Sequence, residues 1–61
     1  MTTPLRKRAA CELIGISTAA MDSWLAKGYG PPSYMIGGIR RWDKEDIQQW
    51  ITEQKLATLT H

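Results

Sequence analysis

Arg40 and Arg41 follow directly on Gly37-Gly38-Ile39, and Arg6, Lys7 and Arg8 crowd the beginning of the chain. Cations at this spacing neutralise phosphates, and arginine also presents a fork of donors to phosphate oxygens and base edges. Other reactive side chains are few. The only histidine, His61, is the last residue and is expected to be disordered. Cys11 is the single thiol; it falls near the apolar side of a helical pattern and reads as a small core hydrophobe. Asp43, Glu45 and Asp46 open another helical pattern, where carboxylates cap the helix and complement its dipole. With no histidine or cysteine beside them, a metal site is not expected. The glycines form neither a dinucleotide fingerprint nor a phosphate loop followed by lysine. No catalytic residue and no cofactor are expected.

Length and charge place limits on the rest. The 61 residues, 43% apolar and 23% charged, predict one small domain over 1–61, with an ordered core of about 4–56 and a frayed carboxyl-terminal tail. Residues 1–41 carry a net +4 and residues 42–61 a net −2, which reads as one side facing a polyanion and another facing water. A lone cysteine cannot form an internal disulfide, so a reduced, cytoplasmic setting is expected. No apolar run approaches the roughly 18 residues of a spanning helix.

Three helices and a hairpin must position the cations. Leu5, Ala9 and Leu13 share a stripe, with Ala10 and Ile14 beside it, predicting a helix over about Leu5–Ile14 that Gly15 ends. Thr3-Pro4 could start it, or it could begin two or three residues later. Ser17 suits an N-cap, and a second helix is expected from Thr18 to about Lys27, stopped before Gly28, with Met21, Trp24 and Leu25 inward. The stretch from Gly28 to Pro32 reads as an extended spacer. Ser33–Ile36 and Ile39–Trp42 flank Gly37-Gly38 as a two-residue hairpin, pairing Ile36 with Ile39, Met35 with Arg40, Tyr34 with Arg41 and Ser33 with Trp42. A last helix is capped by Asp43, buries Ile47, Trp50 and Ile51, and loses its pattern after about Leu56. Trp42 and Trp50 are expected to pack together with Leu13, Leu25 and Ile47.

The fold class is therefore mostly α with a small β-hairpin, a winged helix-turn-helix. In that arrangement a second helix of about ten residues can enter a major groove, while arginines on a thin ribbon reach the backbone or the minor groove. The segments ACELIGIS (10–17), WLAKG (24–28), IGGIRRW (36–42) and DIQQWI (46–51) resemble the AlpA-like and excisionase group of MerR-type winged-helix DNA-binding proteins. The resemblance spans roughly Leu5 to Glu53. It implies a phage or prophage regulator: an excisionase (recombination directionality factor) or a transcriptional activator of the integrase region. Such a protein binds double-stranded DNA without a cofactor, cooperatively with further copies of itself, and can work beside an integrase. It also implies that Thr18–Lys27 is the recognition helix and Gly37–Arg41 the wing, with Gly37 and Gly38 as its turn.

The expected DNA-binding residues are Arg6, Lys7, Thr18, Ala19, Asp22, Ser23, Lys27, Arg40 and Arg41. Here the chain departs from the group, whose recognition helices carry arginine, threonine or aromatic residues where Thr18, Ala19, Ala20, Asp22 and Ser23 stand. Cys11 also replaces a preferred alanine. Asp22 could accept from a cytosine amino group or repel phosphate, and either specificity differs or more affinity rests on the surrounding cations. Two other functions fit the pattern: a transcription factor unconnected to recombination, and a protein-interaction adaptor that keeps the fold without DNA binding; the fold also resembles the DNA-binding module of phage packaging proteins, but 61 residues are expected to leave no space for a motor-binding domain.

Overall fold

The computed structural model describes residues 3–59, so the expectation for His61 lies outside the described residues. The order is α1 (Lys7–Ile14), α2 (Thr18–Ala26), β1 (Tyr34–Ile36), β2 (Ile39–Arg41) and α3 (Lys44–Leu59). This is a small, mostly helical arrangement with a two-stranded antiparallel hairpin, compatible with a helix-turn-helix and wing.

Local signals account for most of these boundaries. Ser17 Oγ accepts from the Ala20 amide at 3.1 Å, capping α2, as Ser at this position does. Gly15 closes α1 at φ +89°, its amide donating to the Cys11 carbonyl at 2.7 Å. Gly37 and Gly38 take φ +56° and +80°, the positive values that a type I′ hairpin turn demands of both central residues. The three pairs of the ribbon are Tyr34–Arg41, Met35–Arg40 and Ile36–Ile39, the expected register.

Trp42 leaves that register. Its backbone exchanges two hydrogen bonds with Leu5, Leu5 N to Trp42 O at 2.7 Å and Trp42 N to Leu5 O at 3.1 Å, where pairing with Ser33 was expected. Leu5 is consequently extended, Arg6 takes the N-cap position, and α1 begins at Lys7. That shift removes Leu5 from the helical stripe and turns the buried side of α1 to Ala10 and Cys11, leaving Leu13 39% exposed.

The core is Ala10, Cys11, Met21, Trp42 and Ile47, ringed by Leu5, Ile14, Ile16, Trp24, Leu25 and Ile51. Trp50 is only half-buried, and its expected partnership with Trp42 is replaced by another: Trp50, Trp24 and Tyr29 form a trio with ring centroids 5.2–5.7 Å apart. Edge-on and tilted pairs at this spacing are favourable beyond their area. The trio ties α2, the spacer after it and α3 together, whereas Trp42 is fully buried in the core.

Two further differences concern α3. It continues to Leu59, past the expected end near Leu56, and no basic residue lies in its last turn, since Lys55 is now interior. At its start, Asp43 O accepts from the Ile47 amide at 3.0 Å, and Asp43 Oδ1 accepts from the Tyr34 hydroxyl at 2.6 Å. That second bond fastens the base of the ribbon to the mouth of the helix.

Candidate nucleic-acid interface

An open concavity of about 490 Å³ lies between the amino end of α1, α2 and the ribbon. Arg6, Lys7, Asp22, Arg40 and Arg41 line it, together with Leu25, Gly38, Ile39 and Trp42. Five of the nine expected contact residues thus meet in one cleft, although they come from three separate parts of the chain. The Leu5–Trp42 bridge causes this: it brings the chain immediately before Arg6 alongside the chain immediately after Arg41.

The remaining four lie outside the cleft on α2. Thr18, Ala19 and Ser23 are exposed, and with Asp22 they occupy one continuous face because residues three and four apart stack on a helix. Met21, Trp24 and Leu25 face the protein interior, as the amphipathic pattern requires. Lys27 is the C-cap of the same helix and is exposed.

The electrostatics of the cleft are less simple than the basic residues alone suggest. Lys7 Nζ lies 2.8 Å from Asp22 Oδ1, both side chains being about half exposed. One cation is therefore already engaged, and the acidic residue of α2 is partly neutralised. Among the described residues no ion pair is formed by Arg6, Arg40 or Arg41. Arg8 turns elsewhere, pairing loosely with Glu12 at 3.7 Å on the exposed side of α1.

The two ribbon arginines differ. Arg40 is exposed and its Nη1 donates to Ser33 Oγ at 2.6 Å, so its position is held by the opposite strand. Arg41 is half-buried on the face it shares with Tyr34. Of the two, Arg41 is the more enclosed.

Two titratable groups near this region have their protons held tightly. Burial pushes the Cys11 thiol up from its ordinary value, partly opposed by the nearby Lys7 charge. The Tyr34 hydroxyl is also raised, chiefly by donating to Asp43 and secondarily by burial. Among the described residues no group of three or more histidine, cysteine or carboxylate side chains is placed to hold a metal ion, and no helix is long and apolar enough to cross a membrane.

Residue order alone did not reveal the Lys7–Asp22 pair, the Ser33–Arg40 clamp or the Tyr34–Asp43 latch. Each joins positions on different elements, and only the relative placement of those elements brings them together. Leu25 and Trp42 were likewise read only as packing residues and Ile39 only as part of the ribbon, yet all three line the cleft. No family model, no curated protein and no solved structure matches the chain.

Proposed function

We propose that this chain is a sequence-specific double-stranded DNA-binding protein, working without catalysis or cofactor. In this reading α2 is the helix presented to the major groove and β1–β2 is the wing. The observation that supports it is the gathering of Arg6, Lys7, Arg40 and Arg41 around one cleft beside the exposed face of α2. A convex row of phosphates is the complementary surface, and an α-helix, about 10–12 Å across with its side chains, suits a groove about 12 Å wide. Phosphate contacts from the cleft would fix the protein on the duplex, while Thr18, Ala19, Asp22 and Ser23 face base edges.

Following the resemblance described above, the biological role we assign is that of an excisionase or AlpA-like regulator of a phage or prophage element. The protein would act in the cytoplasm, bind cooperatively with further copies of itself and work beside an integrase. Binding measured by fluorescence anisotropy on a 30-base-pair duplex tests the first part. With about three to five phosphate contacts, log K should fall against log salt with a slope near −3 to −5. Absence of binding at low salt would leave the protein-interaction adaptor as the better reading. The presence of an integrase gene beside this one, and an excision assay with that integrase, separate a recombination factor from a transcription factor.

A further inference from the structure

Arg41 is half-buried in the cleft, yet among the described residues its guanidinium has no ion pair and no side-chain hydrogen bond. Asp43, the nearest carboxylate along the chain, is already taken by the Tyr34 hydroxyl. A cation drawn out of water is ordinarily matched by an anion. Arg6 and Arg40 share the cleft and form no ion pair among the described residues either, whereas Lys7 is matched by Asp22. Three guanidinium groups from separate segments thus repel one another across one concavity. The amino end of α1 borders it as well. Arg6 is the N-cap of that helix but gives no side-chain cap, and no acidic residue lies in the first turn. The positive end of the helix dipole and its unpaired first-turn amides therefore add to the arginines.

We propose that this cleft binds the oligophosphate group of a small molecule, a diphosphate or triphosphate, and that this ligand and duplex DNA exclude one another. The exclusion rests on the DNA-binding reading given above; the ligand site does not. At about 490 Å³ the cleft falls within the roughly 300–1,000 Å³ of small-molecule sites. An oligophosphate concentrates several negative charges on adjacent groups, and each phosphoryl group fits the donor fork of an arginine. A lone carboxylate or sulfate leaves part of the cluster unmatched. Because the same arginines serve ligand and DNA, the ligand acts as a release signal. Two sources share this chemistry, a free inorganic oligophosphate and a nucleotide. Leu25 and Ile39 on the cleft wall offer apolar contact to the second only.

The test titrates the full chain with sodium triphosphate and with ATP by calorimetry, in magnesium-free buffer at a fixed ionic strength of about 0.15 M. Triphosphate should give a saturable curve and raise the melting temperature of the protein. Arg41→Gln and Arg6→Gln, each checked for folding by its thermal melt, should weaken binding about tenfold, the worth of a charge-assisted hydrogen bond. Arg8→Gln, on the exposed side of α1 beside Glu12, should change it by less than about twofold. Saturating triphosphate should also release a labelled duplex, and sodium sulfate at the same ionic strength should not. Tighter binding of ATP than of triphosphate supports a nucleotide as the source; equal or weaker binding supports the inorganic chain. If triphosphate does not bind, or Arg8→Gln weakens it as much as Arg41→Gln, or sulfate releases the duplex equally, the attraction is diffuse and the site is overturned while DNA binding stands. Triphosphate that binds without releasing duplex overturns the exclusion. If triphosphate binds through the arginines and no duplex binds at low salt, the functional reading falls and the ligand site stands.

Discussion

Lys7 on the first turn of α1 and Asp22 on the exposed face of α2 are joined by an ion pair 2.8 Å long. Exposed pairs of this sort contribute only about 0.2–1 kcal/mol to stability, so its importance lies in the cleft's charge. The pair holds a carboxylate where phosphates are expected and occupies a lysine that could meet them. Asp22→Asn removes one negative charge and releases Lys7. Affinity for random duplex DNA should rise about fivefold, corresponding to about 1 kcal/mol for one charge pair near 4 Å in water. A titration at low salt measures it. If Asp22 instead accepts from a cytosine amino group, binding to random DNA will stay flat and preference at one position of a cognate site will relax by about 1–3 kcal/mol.

The ribbon arginines should behave as phosphate ligands. Replacing Arg40 and Arg41 with alanine is expected to weaken binding to cognate and scrambled DNA alike and to flatten the salt slope by about one unit for each lost contact. Arg40 is the cleaner single probe because it is exposed, its one bond being to Ser33. Anisotropy titrations at several salt concentrations read both quantities. Full affinity retained on both DNAs would remove the ribbon from the interface.

The two tryptophans should separate sharply. Trp42 is 1% exposed at the centre of the core, and truncating such a ring costs about 3–5 kcal/mol, as much as a domain of this size holds. Trp42→Ala should be unfolded at 25 °C. Trp50 is half-buried within the ring trio, so Trp50→Ala should cost about 1–2 kcal/mol and retain a cooperative melt at lower temperature. Circular dichroism melts of both variants decide it. The Trp42 indole N–H is buried without a partner among the described residues, so Trp42→Phe removes an unpaired donor along with ring volume and should be far milder than alanine.

Cys11 is 2% exposed and its thiol is pushed up by burial. Both factors oppose reaction, since only the thiolate attacks. Iodoacetamide at neutral pH should label the native protein very slowly and label it at the rate of a free thiol in denaturant. Fast labelling under native conditions would mean that α1 opens readily.

Alkali offers a test of the latch between ribbon and α3. The Tyr34 proton is held more tightly in the folded state than in the unfolded chain. Its contribution is therefore intact below the ordinary tyrosine value near 10 and declines as pH rises through the raised value. Melting temperature should fall over that alkaline window, and the part due to the latch should be absent in Tyr34→Phe. An unchanged alkaline profile in that variant would place the sensitivity elsewhere.

Features whose determinants lie close together in the chain could be read from residue order. Ser17 capping α2, Gly15 ending α1 and the Gly37-Gly38 register each depend on a few neighbouring residues. Leu5 was misread because its apolar character fits both a helical stripe and an edge pairing, and only Trp42, far along the chain, selects between them. Tyr29 carries no periodic signal, being in the spacer between α2 and β1, so its ring contact with Trp50 had no precursor in the pattern. The site divided in the same way. Its cations were visible as types, whereas the neutralisation of Lys7 by Asp22 required the angle between α1 and α2.

The bridge between Leu5 and Trp42 also governs when the protein can take shape. A chain leaving the ribosome presents Leu5 long before its partner exists, so the α1–α2 pair emerges with neither Trp42 nor Ile47 to cover Ala10, Cys11 and Met21. Long-range pairings of this kind are slow to close and leave apolar surface uncovered meanwhile. Folding must therefore wait until most of the chain has been made, and a nascent fragment ending in the spacer would be a substrate for chaperones and proteases rather than a half-built DNA-binding unit.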